Sequence, residues 1–151
     1  MSWNLKKMRE PSRDILGVQG EIAFEKWCAE HDILYTSDYH NTHCRSAADD
    51  TGDGTIFINR QAYSVEVKTT TAKDPSLIIP EYQMKNPKDI YLLIRKTSDT
   101  KFKLLGFTTP DLLEDYYDDS CLHTVNTCYR MHNRHLVQDW EDFTSLFTSD
   151  L

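Results

Sequence analysis

The segment 53–68 holds carboxylates and a lysine whose spacing could support metal-dependent chemistry. Asp53 stands just before an apolar run, and Glu66 and Lys68 stand two residues apart in the alternating segment "YSVEVKTT". If the two runs form a hairpin closed at "NRQA", Asp53 returns beside Glu66 and their carboxylates converge. Hard oxygen ligands of this kind, with the Val67 carbonyl as a third, suit Mg²⁺. The segment therefore predicts a magnesium site in which Mn²⁺ can substitute.

Lys68 adds a group that could act on a water molecule beside the ion. A lysine there can orient an attacking water, or take its proton if a neighbouring cation lowers the lysine pKa. The competing interpretation is a solvated ion pair, because a Glu and a Lys two residues apart on an exposed strand contribute well under ~1 kcal/mol. Asp53 on the other strand of the hairpin favours the site.

A third carboxylate is expected from the first helix of the chain. Glu21 lies in "GVQGE", where Gly17 and Gly20 each cost about 1 kcal/mol relative to alanine in a helix. Both glycines therefore indicate that something approaches the helix backbone closely. The alternative is that Glu21 is one of several solvated acids on this helix.

The remaining patterns predict a single α/β (α+β) domain over residues 1–151, with a central mixed sheet flanked by helices. The first helix is expected to begin at a cap formed by Ser12 or Asp14 and to end at His31-Asp32. Strands are predicted at 33–40, 55–59, 63–70, 90–96 and 102–109 and around Tyr129, and helices at 109–117 and 139–147. The segment 72–89 is expected to be a proline-broken connection with a short helix at 81–85.

Charge and composition narrow the classes of partner. The 151 residues carry a net charge of -7, which argues against a tight non-specific binder of nucleic acid. The exception is a basic N-terminal arm of about residues 1–13, in which Lys6, Lys7, Arg9 and Arg13 outnumber Glu10. No apolar run approaches the ~20 residues that cross a membrane.

The N-terminus and the cysteines lead to an expected location. The N-terminus lacks the apolar segment of a secretory signal, so the protein is expected in the cytoplasm. The four cysteines, Cys28, Cys44, Cys121 and Cys128, form no CxxC pair and are expected to be free thiols there.

Taken together, "GVQGE", "GDGTIFIN" and "VEVK" resemble the core signature of the PD-(D/E)XK nuclease superfamily. The similarity is greatest to its small stand-alone members from phages and mobile elements, whose layout is like that of archaeal-type Holliday junction resolvases. The resemblance implies a restriction-endonuclease-like core and a Mg²⁺-dependent endonuclease that hydrolyses phosphodiesters in DNA. Asp53 and Glu66 would be metal ligands, Lys68 the residue that orients water, and Glu21 an accessory ligand.

The resemblance also implies substrate contacts, assembly and origin. Gln83 is similar to a glutamine that some members place after the lysine strand, and Lys6, Lys7 and Arg9 are candidate phosphate contacts. Many small members cut as homodimers, and a phage-encoded member would act in the host cytoplasm. Gly52 stands where the family has a proline, and spacing alone leaves Asp49 and Asp50 as alternatives to Asp53.

Three alternatives remain open from the residues. The same fold can serve as a non-catalytic module that binds nucleic acid or protein, such as a phage-encoded regulator or inhibitor. The segment "DDTGDGTI" partly fits a calcium loop, although Arg60 stands where that loop needs a bidentate glutamate. The group Cys121, His123, Cys128, His132 and His135 could hold zinc, at spacings that match no standard finger.

Overall fold

The computed structural model describes residues 11–37, 53–121 and 127–147, and for residues 11–14 the backbone alone. The strands are β1 Tyr35–Ser37, β2 Gly54–Ile58, β3 Gln61–Thr70, β4 Ser76–Pro80, β5 Ile90–Lys96, β6 Phe102–Thr108, β7 Tyr117–Asp118 and β8 Cys128–His132. The α-helices are α1 Pro11–Glu30, α2 Pro110–Leu113 and α3 Trp140–Thr144. Short 3₁₀ segments are Glu81–Lys85, Glu114–Tyr116, Asn133–His135 and Ser145–Phe147.

A five-stranded mixed sheet in the order β1-β2-β3-β5-β6 forms the centre of the fold. Only the central pair, β3 and β5, is parallel, while the other neighbours are antiparallel. β5 is buried on both faces, which explains its continuous apolar run "IYLLI". The predicted class, a mixed sheet combined with helices, is confirmed at this level.

The two faces of this sheet are covered differently. On one face, Phe24 of α1 and Phe143 of α3 pack against Val65 and Val67 of β3. On the other face lies a second sheet in the order β4-β8-β7, which contributes buried residues such as Leu77. Helices therefore flank the first face as predicted, and the second face is covered by the second sheet together with Leu113 of the short helix α2.

The second sheet was missed because prolines concealed one of its strands. Leu77 and Ile79 alternate with half-buried neighbours, as a strand with one buried face requires. Pro75 and Pro80 stand just outside β4 and at its last residue, where a missing N–H disturbs pairing least. The predicted connection thus contains a strand, and the helix expected at 81–85 is present as a 3₁₀ segment.

The hairpin of β2 and β3 is tighter than predicted. Asn59 and Arg60 occupy its turn with φ of 52° and 70°, the conformation of a two-residue type I′ turn. β3 therefore begins at Gln61 and extends to Thr70, twice the length of β2. Its second half, residues 66–70, continues past the end of β2.

The first helix begins before both predicted caps, one residue ahead of Ser12 and three ahead of Asp14. Pro11 is its first residue, a position that proline favours because the missing N–H has no helical partner there. Ser12 and Asp14 consequently lie inside the helix, so that prediction is wrong. The predicted end is confirmed, since a turn follows at 31–32 and Asp32 has φ of 56°.

Gly20 permits close contact between α1 and the sheet, whereas Gly17 does not. A Cβ atom at Gly20 would lie within bonding distance of the Thr69 hydroxyl oxygen on β3, so only glycine fits. A Cβ at Gly17 would meet no atom within 4 Å. The prediction of a close approach is therefore confirmed for Gly20 and wrong for Gly17.

The expectation of free cysteines is wrong for one pair. Cys121 and Cys128 form a disulfide with Cα atoms 5.9 Å apart, and only Cys28 is free and buried among the cysteines of the described ranges. Burial, followed by the charge of Glu25, raises the pKa of the Cys28 thiol to about 12. Disulfides are more typical of oxidising compartments than of the cytoplasm.

Within the described residues, no helix is long and apolar enough to cross a membrane.

The two glycines make a matched test of the α1 contact. We expect Gly20→Ala to lower the free energy of unfolding by about 1–3 kcal/mol, because the new methyl group collides with Thr69. Gly17→Ala should raise it by up to about 1 kcal/mol, since alanine is the better helix former and the space is open. Urea denaturation measures both, and equal effects of the two substitutions would contradict the packing described.

Candidate active site

Asp53 immediately precedes β2 and lies beside Glu66 of β3. The antiparallel register pairs Gly54 with Val65, so the preceding residue, Asp53, lies opposite Glu66. The Asp53 N–H donates to the Val65 carbonyl at 2.8 Å, and the Val67 N–H donates to Asp53 Oδ2 at 2.6 Å. The carboxylate of Asp53 thus replaces the backbone partner that β3 loses where β2 ends.

The direction of the Val67 N–H also gives the direction of the Val67 carbonyl. In a strand, the N–H and C=O of one residue point to the same side. Since the Val67 N–H reaches Asp53, the Val67 carbonyl also points toward that edge. It therefore lies on the side of β3 where the predicted metal site is expected.

Gly54 is required for this arrangement. A Cβ at Gly54 would lie 2.5 Å from both the Thr36 carbonyl oxygen and the Tyr35 hydroxyl oxygen of β1. The Tyr35 hydroxyl also donates to the Asp53 carbonyl at 3.4 Å. β1 therefore crowds the start of β2 and fixes the backbone that carries Asp53.

Glu21 of α1 reaches the same point from the helix side. It is 7% exposed, and its carboxyl group lies close enough to that of Asp53 to act on the Asp53 pKa. The close approach at Gly20, the neighbour of Glu21, explains how the helix carboxyl comes so near to the strand.

Burial and like charge act together on Asp53. Burial raises the pKa of the Asp53 carboxyl above its ordinary value, and the negative charge of Glu66 raises it further. The hydrogen bonds from Glu21 and the Val67 N–H, and the charge of Lys68, act in the opposite direction. The net effect is a raised Asp53 pKa, because burial outweighs the groups that favour the charged form.

Lys68 and Gln83 complete the group on the opposite face of β3 from the Val67 side chain. The Lys68 ammonium lies 2.7 Å from Glu66 Oε2 and donates to Gln83 Oε1 at 3.5 Å. Glu66 is 9% exposed, so this ion pair is not the solvated surface pair of the competing interpretation. Gln83 lies on the 3₁₀ segment after β4, beside Lys68.

The side chains present match the chemistry of Mg²⁺, although they do not form a ready coordination shell. Within 11–37, 53–121 and 127–147, no group of three or more His, Cys, Asp or Glu residues is arranged to hold a metal ion. Glu66 faces Lys68, and Asp53 is engaged by Val67 and Glu21. The donors are nevertheless hard carboxylate oxygens on buried or half-buried side chains, the type of ligand that Mg²⁺ prefers.

Several predicted residues lie outside the described parts of the chain. These are Lys6, Lys7, Arg9, Asp49, Asp50 and His123. The zinc alternative is contradicted for Cys121 and Cys128, which are paired with each other. The calcium-loop alternative is contradicted at its end, because strand β3 follows Arg60 where a helix is needed.

One cation near the site was not predicted from the sequence. Arg95 stands at the end of β5, next to Thr70 of β3 in the parallel register. The signal available was its position, since "IYLLIRK" ends an otherwise buried strand with two cations. Without the register between β3 and β5, that position could not be related to Lys68.

Comparison with known proteins identifies a family whose function is unknown. Residues 7–105 match the model described as "Family of unknown function (DUF5843)". The chain belongs to this family. No curated protein and no solved structure matches the chain. The matched region runs from before α1 into β6 and so contains Glu21, Asp53, Glu66 and Lys68.

Asp53 offers a test of the buried carboxyl cluster in metal-free buffer. We expect Asp53→Asn to leave the free energy of unfolding unchanged or raise it, because the amide oxygen still accepts from Val67 while the buried charge is removed. Asp53→Ala should lower it by about 1–3 kcal/mol, since the Val67 N–H loses its acceptor. Urea denaturation at neutral pH gives both values.

Exposed Asp99 provides the control for loss of one negative charge. Asp99→Asn should change stability by no more than a surface substitution does, within about 0.5 kcal/mol. If Asp53→Asn proved as damaging as Asp53→Ala, the Asp53 charge would be stabilising and the described electrostatics would be wrong.

Proposed function

We propose that this protein is a Mg²⁺-dependent nuclease that hydrolyses phosphodiester bonds in DNA. The observation that carries the proposal is the convergence of Asp53, Glu66 and Glu21 at the edge of β3, with Lys68 paired to Glu66. A solvated strand face has no reason to bury these acids together. Carboxylates beside a lysine are the groups that metal-dependent hydrolysis of a phosphodiester uses.

The order of elements also supports a restriction-endonuclease-like core, which is part of the proposal. Helix α1 carries Glu21, the start of β2 carries Asp53, and β3 carries Glu66 and Lys68. This is the order of the motif that the sequence resembles. The second sheet, in place of helices on the far face, is a feature that the resemblance does not explain.

Each side chain has a distinct role in the proposal. Asp53 and Glu66 would hold Mg²⁺, with the Val67 carbonyl as a further oxygen and Glu21 as an accessory ligand. When bound, the ion would stabilise negative charge on the phosphoryl oxygens. The Val67 N–H holds the Asp53 carboxylate beside Glu66, while its contact with Glu21 would have to rearrange to admit the ion.

Lys68 would position the attacking water. Its ammonium lies between Glu66 and the Gln83 side-chain oxygen, which restricts where it can point. If Glu66 held a metal ion, the Lys68 ammonium would be free to donate to a water or to the phosphate. Gln83 then keeps Lys68 directed at the reacting group, while the basic arm with Lys6, Lys7 and Arg9 contacts the strand.

The decisive test is cleavage by matched variants. We expect Asp53→Asn, Glu66→Gln and Lys68→Ala each to reduce Mg²⁺-dependent cleavage by more than about 100-fold, because each removes a group needed in the transition state. The measurement uses labelled duplex, branched and single-stranded DNA, with RNA for comparison, in Mg²⁺, Mn²⁺ and EDTA.

Two exposed residues serve as controls for charge. Lys101→Ala and Glu30→Gln remove one charge each at positions without a role in the site, so both should retain wild-type cleavage. Circular dichroism shows whether each variant is folded. Full activity of folded Lys68→Ala or Asp53→Asn would refute the assignment.

The second candidate is a non-catalytic module that binds nucleic acid or protein. It is favoured by the Lys68–Glu66 ion pair, which compensates one carboxylate internally. The two candidates differ in their response to metal, because a ligand that binds the folded state raises its melting temperature. No shift with Mg²⁺ or Mn²⁺ and no cleavage of any substrate would favour the binding module. A cytoplasmic location and a homodimer belong to the proposal in either case.

A further inference from the structure

A row of side chains leads away from Lys68 across the central sheet. Lys68 and Thr70 alternate on one face of β3, and Arg95 of β5 is the neighbour of Thr70 in the parallel register. Arg95 is in turn opposite Lys103 of β6. Partners in register point to the same face of a sheet, so Lys68, Thr70, Arg95 and Lys103 share the face that carries Glu66.

Within the described residues, one donor of the Arg95 guanidinium is left without a partner. Its Nε atom is buried and has no hydrogen-bond partner among the described residues. A buried donor left unpaired destabilises a fold. Arg95 as a whole is only half-buried, so part of its side chain stays within reach of a ligand with matching oxygens.

Arg130, which has an ion-pair partner, provides a comparison for Arg95. Its Nε atom also lacks a hydrogen bond, yet it lies 3.3 Å from Asp118 Oδ2 in an ion pair. The guanidinium of Arg95 has no carboxylate of the described ranges in a comparable position. Among the described residues, Arg95 therefore has no anion as a partner.

The neighbours of Arg95 define the kind of anion. Lys103 is exposed and adds a second positive charge, while the Lys68 charge is partly taken by Glu66. The Thr70 hydroxyl oxygen accepts from the Ala72 N–H at 3.1 Å, so its own hydrogen remains free to be donated. A fork of N–H donors, an ammonium and a hydroxyl together suit the several oxygens of a phosphate group.

We infer that Arg95, with Lys103 and Thr70, binds a backbone phosphate of the DNA strand that enters the site at Lys68. Diagonal neighbours on a sheet stand about 7–8 Å apart, so this phosphate lies next to the one held for cleavage. The inference rests on the proposed function for its substrate. Arg95 contacts the strand and positions it, and it takes no part in bond breaking.

Binding in EDTA tests the inference without cleavage. Fluorescence anisotropy of a labelled DNA duplex and single strand, over a range of NaCl concentrations, gives the affinity and its salt dependence. We expect Arg95→Gln to weaken binding by about tenfold and to reduce the slope of log K against log salt by about one, because one phosphate contact is lost. Arg95→Lys should restore part of the affinity, since it keeps the charge and loses the fork.

Arg60 provides the matched control. It is exposed in the β2–β3 turn, at the far end of β3, and Arg60→Gln removes the same charge. That variant should keep the wild-type affinity and salt slope. The melting temperature of free Arg95→Gln should equal or exceed that of the wild type, because an unpaired buried donor is removed. A lower melting temperature would indicate a structural role and overturn the inference.

The outcomes separate this inference from the proposed function. If wild type binds DNA but never cleaves it, while Arg95→Gln binds more weakly, the phosphate site stands and the nuclease proposal fails. If wild type cleaves while Arg95→Gln binds with the wild-type affinity and slope, the phosphate site is refuted alone. If wild type neither binds nor cleaves DNA, both are refuted.

Discussion

The hydrogen bond from the Val67 N–H to the Asp53 carboxylate is the interaction on which the candidate site depends. It exists because β3 is twice as long as β2 and needs a partner where β2 ends. By replacing a backbone acceptor with a carboxylate, the fold fixes Asp53 beside Glu66. The tight turn at Asn59 and Arg60 sets this register, and Gly54 allows β1 to support it.

Helix α1 converts that strand edge into a cluster of acids. Gly20 brings the helix against Thr69, and this contact carries Glu21 to the Asp53 carboxyl. The resulting site is electrostatically unfavourable on its own, since burial and Glu66 both disfavour a charged Asp53. Proteins accept such a cost mainly where function requires it. The same reasoning applies to the unpaired guanidinium of Arg95 on the same face as Glu66.

Local patterns were sufficient for the centre of the fold and for the acids of the site. Alternating apolar residues identified the strand that carries Glu66, and a continuous apolar run identified "IYLLI". The expected hairpin between the two runs predicted that Asp53 lies beside Glu66. The sequence could not reveal β4, because its prolines resemble a loop and its partner β8 is about fifty residues away. Gly17 and Gly20 looked equivalent because their difference is tertiary, and Arg95 gained meaning only from the β3–β5 register. The Cys121–Cys128 pairing likewise depends on folding.

The central claim is that Asp53, just before β2, and Glu66, on β3, form a divalent cation site. Titration of the metal-free protein with Mn²⁺, followed by electron paramagnetic resonance of the free ion, measures this directly and independently of any substrate. The account predicts saturable binding that is lost in Glu66→Gln and Asp53→Asn and retained in Glu30→Gln. Binding of equal strength in all four proteins, or no binding to the wild type, would contradict it.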